Sequence, residues 1–564
     1  MITLKNINLS SIDLSGIDLR GIKLGLGGRG SGSGDGFPQL LGDVTRWHFG
    51  GLTNAMMAAM DDPRIEDADH KGRFLSFKNF AWSGMSGVGG YVQNFNDFRN
   101  NTTVDKVRID EQNSNSIKVT ILTTGIGNAI FIIKNLYQFN KSYFIKISSE
   151  GYNEGDLFLS FYAPSTSTVT TVKVPLNPNG ITEIPAIKED DYLAVYIAVG
   201  HKAGSITIEQ LPLYPGALVF DGVDDYGTCD NFPILTKEKG YTVVALRQYL
   251  VDKSTAYLTA NGDSISNTSF ILEGNNYRDT WNFGRATAIQ ASRILATQTS
   301  KQYDGVKLNI GTNTEGSNLL QVGKWSKSYS NVAIWELVFL DHDATEEELT
   351  KIKDYFVKTY PWLFPDQAWT VTGKTNEDED RATIANITGN GNDLILSNFG
   401  FAEGSGYNEE GEYAGYLVTD GVDDKITSSA FKMGKDFTVV GEWKFLKEDV
   451  IKLAGFVKYD AFMFYNYSYY NRINIYIYSP QGVAFNNVDT IKAVTSEGQV
   501  YFDFNSIKEV KPGDLADKGY VMNIGHNGSN HTKLALKNFA IYPTVLSKDD
   551  CIKAYNYLQT LKAK

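Results

Sequence analysis

Leu218-Val219-Phe220-Asp221-Gly222-Val223-Asp224-Asp225 and Leu417-Val418-Thr419-Asp420-Gly421-Val422-Asp423-Asp424 are two copies of one pattern, an apolar run that ends in Asp-Gly-Val-Asp-Asp. Each is followed by a β-rich stretch, Tyr241-Thr242-Val243-Val244 in one case and Phe437-Thr438-Val439-Val440 in the other. Asp-Gly supplies turn-specific backbone angles, so the local reading is strand, acidic turn, strand. Upstream, Trp47-His48-Phe49-Gly50-Gly51-Leu52-Thr53-Asn54 matches Trp369-Thr370-Val371-Thr372-Gly373-Lys374-Thr375-Asn376, and Asn79-Phe80-Ala81-Trp82 answers Asn398-Phe399-Gly400-Phe401. Downstream, Val332-Ala333-Ile334-Trp335-Glu336-Leu337-Val338-Phe339 and Leu536-Lys537-Asn538-Phe539-Ala540-Ile541-Tyr542 each precede a helix. There Thr345 with Glu348, and Ser547 with Asp550, stand at N-cap spacing. Landmarks repeated in the same order predict a duplicated β unit.

Apolar-Asp-Gly-x-Asp-Asp, a Thr-Val-Val strand, and a closing strand that leads into a short acidic helix together resemble the laminin G-like branch of the concanavalin A-like lectin and glucanase superfamily. The resemblance implies two antiparallel sheets packed face to face, with binding at a concave face or at rim loops. Between Trp82 and Leu218 the first copy carries a long insertion that the second, between Phe401 and Leu417, lacks. Alternating runs within it, such as Ser116-Ile117-Lys118-Val119-Thr120-Ile121-Leu122 and Tyr192-Leu193-Ala194-Val195-Tyr196-Ile197-Ala198, suit a jelly roll. That stretch looks similar to carbohydrate-binding modules. The expected fold is therefore mainly β: tandem concanavalin A-like sandwiches at 37–104 plus 213–365 and at 366–564, an inserted jelly roll at 105–212, and an anchor with a Gly-rich hinge at 1–36.

The anchor shows a step of five. Leu4, Leu9, Leu14, Leu19 and Leu24 share that period with Ile7, Ile12, Ile17 and Ile22. Neither a strand nor a helix keeps such a step on one face, so the chain must turn a corner in each repeat. Asp13-Leu14-Ser15-Gly16-Ile17 and Asp18-Leu19-Arg20-Gly21-Ile22 resemble the pentapeptide-repeat family. Repeats this few bury little surface alone, and the strip is expected to order against partner chains or a capsid, or as an edge ribbon of the first domain.

A chain of 564 residues is too long for one core. Its formal charge of -12, with no basic aromatic stretch, argues against nucleic acid. Cys229 and Cys551 fall in separate predicted domains, so no disulfide framework is expected. No apolar run is long enough for a membrane span, and no signal-peptide core follows Met1, which points to assembly in a cytoplasm and release within a particle.

Clustered carboxylates supply the hard oxygens that calcium prefers, which makes Asp221, Asp224 and Asp225, with Asp420, Asp423 and Asp424, candidate calcium ligands. The same residues serve equally well as plain turn builders, and no other cofactor is expected. The run Tyr459-Asp460-Ala461-Phe462-Met463-Phe464-Tyr465-Asn466-Tyr467-Ser468-Tyr469-Tyr470-Asn471-Arg472 is the richest in aromatics. In strand alternation Tyr465, Tyr467 and Tyr469 share one face and Phe462 and Phe464 the other, which makes the tyrosines, with Asn471 and Arg472, candidate glycan contacts. An ordinary half-buried strand reads the same way. Catalysis is not expected, because no Glu-x-Asp-x-x-Glu strand, nucleophile elbow or His-Glu-x-x-His helix occurs, and Glu377-Asp378-Glu379-Asp380 reads as a solvated cluster.

Tandem sandwiches, a Gly-rich hinge and a repetitive strip together resemble fibre or decoration proteins of bacteriophage virions. Gly373-Lys374-Thr375-Asn376 and Asn390-Gly391-Asn392-Asp393-Leu394 are similar to stretches in appendage proteins of crAss-like phages. The resemblance implies a virion location, a capsid-attached head fibre or decoration protein held through its N-terminus, a trimer or dimer, and glycans as possible ligands. A tail-fibre component, a secreted glycan-active surface enzyme and a purely architectural virion protein are the competing readings.

Overall fold

The computed structural model describes residues 36–133, 142–164, 169–184, 194–236, 238–251, 258–263, 270–272, 295–300, 317–411, 413–446, 455–458, 461–467, 472–477, 483–486, 491–513 and 519–563. The period-five strip, Leu4 to Leu24, lies outside the described residues. So do Tyr469 and Asn471.

The chain is mainly β, built from antiparallel sheets in facing pairs. In the first pair, one sheet runs in the order Leu295–Thr299, Thr242–Tyr249, Asn331–Leu340, Leu218–Asp221, Gly87–Val88, with Val44–His48 also paired to Asn331–Leu340. The last pair repeats this plan. Thr438–Phe445, Leu534–Tyr542, Tyr416–Val418 and Gly406–Asn408 follow one another, and Gln367–Thr370 pairs with Leu534–Tyr542 as Val44–His48 does with its partner. Even the irregularities coincide: a bulge falls between Leu246 and Arg247 in one long strand and between Glu442 and Trp443 in the other. A bulge bends its strand, so sharing one at the same place gives the two sandwiches the same curvature.

The long strand Thr242–Tyr249 is buried at every position, without alternation. Both of its faces are covered. Val243 and Ala245 pack into the first sandwich with Trp47 and Phe339, while Val244 and Leu246 join a larger cluster. That larger cluster also takes Phe144 and Ile208 from the insert, Val440 and Ala540 from the second sandwich, and the closing helices Glu346–Thr359 and Lys548–Gln559 through Phe356 and Tyr555. The insert, together with Arg99–Asn100 just before it, forms a pair of five-stranded sheets. In Ser116–Ile121, Ile117, Val119 and Ile121 are buried and the residues between them half-buried, as the alternation predicts. Helix Glu346–Thr359 opens with a full capping box between Thr345 and Glu348, and the Ser547 side chain caps Lys548–Gln559.

One cluster is therefore shared by the insert, both sandwiches and the closing helices, while each sandwich keeps a core of its own. Cys229 and Cys551 are buried and unbonded to each other. In Asn54–Ala58, Met57 is buried while Met56 is exposed, so one methionine there does the packing.

Candidate functional site

Each acidic turn is tied to the start of its own sandwich by the same set of hydrogen bonds. Asp225 accepts from the Ser86 hydroxyl at 2.9 Å and from the Asp221 backbone N–H at 3.0 Å. Asp424 accepts from Ser405 at 3.0 Å and from the Asp420 N–H at 2.8 Å. Asp221 and Asp420 each accept from the N–H two residues on, at 2.7 Å. The amides of Asn79 and Asn398 donate to the carbonyls of Asp224 and Asp423, from a backbone at φ 66° and 67°. Asn54 and Asn376 each bracket one residue, at Val88 and Tyr407, by bonding both its N–H and its carbonyl. The preceding glycines, Gly87 and Gly406, allow that approach, since a Cβ there would stand 2.4 Å or 2.5 Å from the asparagine oxygen.

Within each triad one oxygen per carboxylate lies within 4.8 Å of the others, among the described residues. Asp225 and Asp424 are buried, Asp221 and Asp420 partly so, and Asp224 and Asp423 exposed. Burial pushes the Asp225 carboxyl up to about 7 and Asp424 to about 6, and the neighbouring aspartates push the same way. Backbone and serine donors already occupy both oxygens of the buried members, so these carboxylates brace the turn. The buried acids hold a proton in the fold where the unfolded chain, at an ordinary value of 3.8, has released it. Their contribution to stability is full below that value and is lost as pH rises through about 6 and 7. Denaturant melts at pH 5 and 7.5 should show this decline, and Asp225→Asn with Asp424→Asn should flatten it. Calcium needs ionised carboxylates; a calcium-dependent rise in melting temperature, removed by Asp224→Ala and Asp423→Ala, would instead make these turns metal sites.

Beside each turn a short hairpin follows a left-handed glycine, Gly323 or Gly525. The two hairpins differ in chemistry. In the first sandwich the Lys324 ammonium lies 3.9 Å from the Tyr226 ring centroid and 5.2 Å from that of Tyr329, so its own lysine occupies the aromatic pair. In the second, His526 and His531 stack at 6.1 Å, and His526 Nε2 lies 3.0 Å from the Thr427 hydroxyl. Burial pulls His526 down to about 4, with His531 and Lys425 adding to it, so its ring is neutral near pH 7.

Next to this hairpin runs Phe462–Tyr467, paired with Arg472–Ile477. Phe462, Phe464, Ile473, Ile475 and Ile477 enter the core, while Met463, Tyr465 and Tyr476 are half-buried on the opposite face. Tyr465 meets Tyr476 edge to face at 5.6 Å, and the Asn527 amide donates to the Tyr465 hydroxyl at 3.1 Å. A ring held at its edge and at its hydroxyl is preorganised. Tyr467 and Arg472 are opposite one another in the register, at the end of that hairpin; the structure describes their backbone placement alone. Tyr476, Asn474, His526 and Asn527 were not singled out in the sequence. Tyr476 and Asn474 carry a signal there, the polar positions of the alternating Ile473-Asn474-Ile475-Tyr476-Ile477, whereas His526 and Asn527 reach the face through a hairpin far along the chain.

No known protein family matches the sequence, and no curated protein does. Among solved structures the chain is similar to the botulinum neurotoxin serotype D binding domain, at 11% identity over 33% of this chain and 50% of that one, with a TM-score of 0.24. It is also similar to Trypanosoma rangeli sialidase, at 9% identity over 86% and 92% of the two chains, again with a TM-score of 0.24. The chain spans about half the length of the neurotoxin binding domains it matches. Likenesses this distant carry no activity across.

Proposed function

We propose that the chain is a structural, non-catalytic binding protein of a bacteriophage virion, a capsid-attached head fibre or decoration protein whose second sandwich holds glycans on the Tyr465 face. The observation that supports glycan holding is the Tyr465–Tyr476 pair, fixed by the Asn527 amide on the face of its sheet away from the core. Sugar rings offer an apolar C–H face and a rim of hydroxyls, which an aromatic plane flanked by an amide matches in kind.

Anchoring to a capsid or another virion protein rests on the period-five strip of Leu4 to Leu24, and a trimer or dimer on the strip being too short to bury itself. Several copies on one particle would then gain by effective concentration what each weak site lacks.

Tyr465→Ala should weaken retention on a glycan array about tenfold, the worth of one aromatic anchor, with an unchanged melting profile. Equal retention by variant and parent would remove this face from consideration. Mass spectrometry of purified particles should find the full chain, and a form lacking residues 1–26 should be left out of them. A sugar-release assay on mucin and capsular polysaccharide separates the enzyme reading: release of sugar would overturn the non-catalytic one.

A further inference from the structure

A cleft of about 510 Å³ opens between the insert and the last helix of the second sandwich. Cavities of this size, at domain junctions, are where small ligands settle. One wall is the strand Tyr143–Glu150 with its neighbours, and the other is the first two turns of Lys548–Gln559.

Fixed contacts set the spacing of the walls. Asn505 exchanges hydrogen bonds with the backbone of Ile181, accepting at 2.6 Å and donating at 2.9 Å. Lys492 reaches across to Glu183 at 2.6 Å. The Asn556 amide donates to the Pro212 carbonyl at 3.4 Å. The cleft is therefore open before any ligand arrives, and little ordering remains to oppose binding.

Its charges are arranged in facing couples. Lys146 stands directly across the strand pair from Glu209, and on the opposite wall Lys548 adjoins Asp549 at the start of the helix. Lys553 is engaged already, 3.0 Å from Asp550 and 4.2 Å from the Trp362 ring centroid. Among the described residues neither Lys146 nor Lys548 has a carboxylate within ion-pair distance, although the chain is acidic as a whole. The amino end of a helix of 12 residues adds positive potential on the same side as Lys548. Two ammonium groups without an ion-pair partner, one on each wall, are donors of the kind that a carboxylate takes, and Glu209 and Asp549 line the same cleft as acceptors for hydroxyl groups.

We infer that this cleft is a second ligand site, separate from the Tyr465 face, and that it takes a carboxylate-bearing sugar such as a hexuronate. Neutral sugars would leave both ammonium groups unpaired, and a polyphosphate would meet Glu209 and Asp549.

The test uses the full chain with free glucuronate and free glucose as probes, read by saturation-transfer NMR. Glucuronate should bind saturably and glucose at least tenfold more weakly. Lys146→Ala combined with Lys548→Ala should lower glucuronate affinity at least tenfold, while Tyr465→Ala leaves it unchanged. Ser148→Trp, on an exposed lining position, should close the cleft and abolish binding without altering the melting temperature. Equal binding of the two sugars, no binding of glucuronate, or full affinity in the lysine double variant would each overturn the site. A loss confined to Tyr465→Ala would assign the acidic sugar to the other face.

Discussion

Arg46→Met is expected to cost about 3–5 kcal/mol of stability at neutral pH, because it removes the cation that, among the described residues, pairs with the buried Glu336 carboxylate. Arg46 and Glu336 are both fully buried, with Arg46 Nη1 3.2 Å from Glu336 Oε2. Tyr355 and Tyr360 donate to the other carboxylate oxygen at 3.0 and 2.9 Å. Burial raises the Glu336 carboxyl above its usual value, and Arg46 and the two tyrosines pull it back. Without Arg46 only the two tyrosines oppose the upward push of burial, so the variant folds with Glu336 protonated. Its unfolded chain releases that proton near 4.5. The deficit should therefore be small below that pH and grow as pH rises above it. Urea melts of parent and variant at pH 4.5 and 7.5 check the trend. A deficit equal at both would mean that lost packing, not stranded charge, is responsible.

The duplication supplies a control. Where the first sandwich has Arg46 before Trp47, the second has Ala368 before Trp369. Where His48 faces Glu336 across the strands, Thr370 faces Asn538. The same strand plan thus stands without the ion pair, as expected if burying two charges brings little net stability. Arg46→Met with Glu336→Leu should accordingly recover more than half of what Arg46→Met loses.

Much of this architecture is legible in local chemistry. Asp-Gly turns, alternating strands and caps at Thr345 and Ser547 are decided within a few residues, and their repetition announces a repeated fold. The alternation that puts Phe462 and Phe464 in the core and Tyr465 outside is equally local. What supports Tyr465 is not. Asn527 lies on a separate hairpin, and only the pairing of Phe456 and Val457 with Ile524 and Asn523 brings that hairpin alongside. The cleft is harder still to foresee, since its walls are the exposed face of a strand and a helix end that look like solvated surface in isolation. Nor does periodicity tell that Thr242–Tyr249 is covered on both faces. A continuous apolar run says it is buried, but not by what.

That shared covering leads to the second large effect. Phe144, on the insert, is buried against Phe504 and Tyr555 of the second sandwich, at centroid distances of 6.4 and 5.5 Å, with the Lys492 ammonium 5.6 Å from its ring. Those rings also meet each other at 5.7 Å, so Phe144 completes a three-ring junction between domains. Phe144→Ala should remove about 3–5 kcal/mol, the usual cost of emptying such a site. Because the loss falls at a junction and not inside one sandwich, it should change the shape of unfolding as well as its midpoint. Calorimetry should show a transition that splits, with the second sandwich melting apart from the insert, whereas Ile117→Ala within the insert's own core should shift the insert's melting without uncoupling it. The uncoupled variant should also bind glucuronate more weakly, since the cleft keeps its width only while insert and helix stay together. A single sharp transition in Phe144→Ala, merely displaced to lower temperature, would show that the remaining contacts suffice to hold the domains as one.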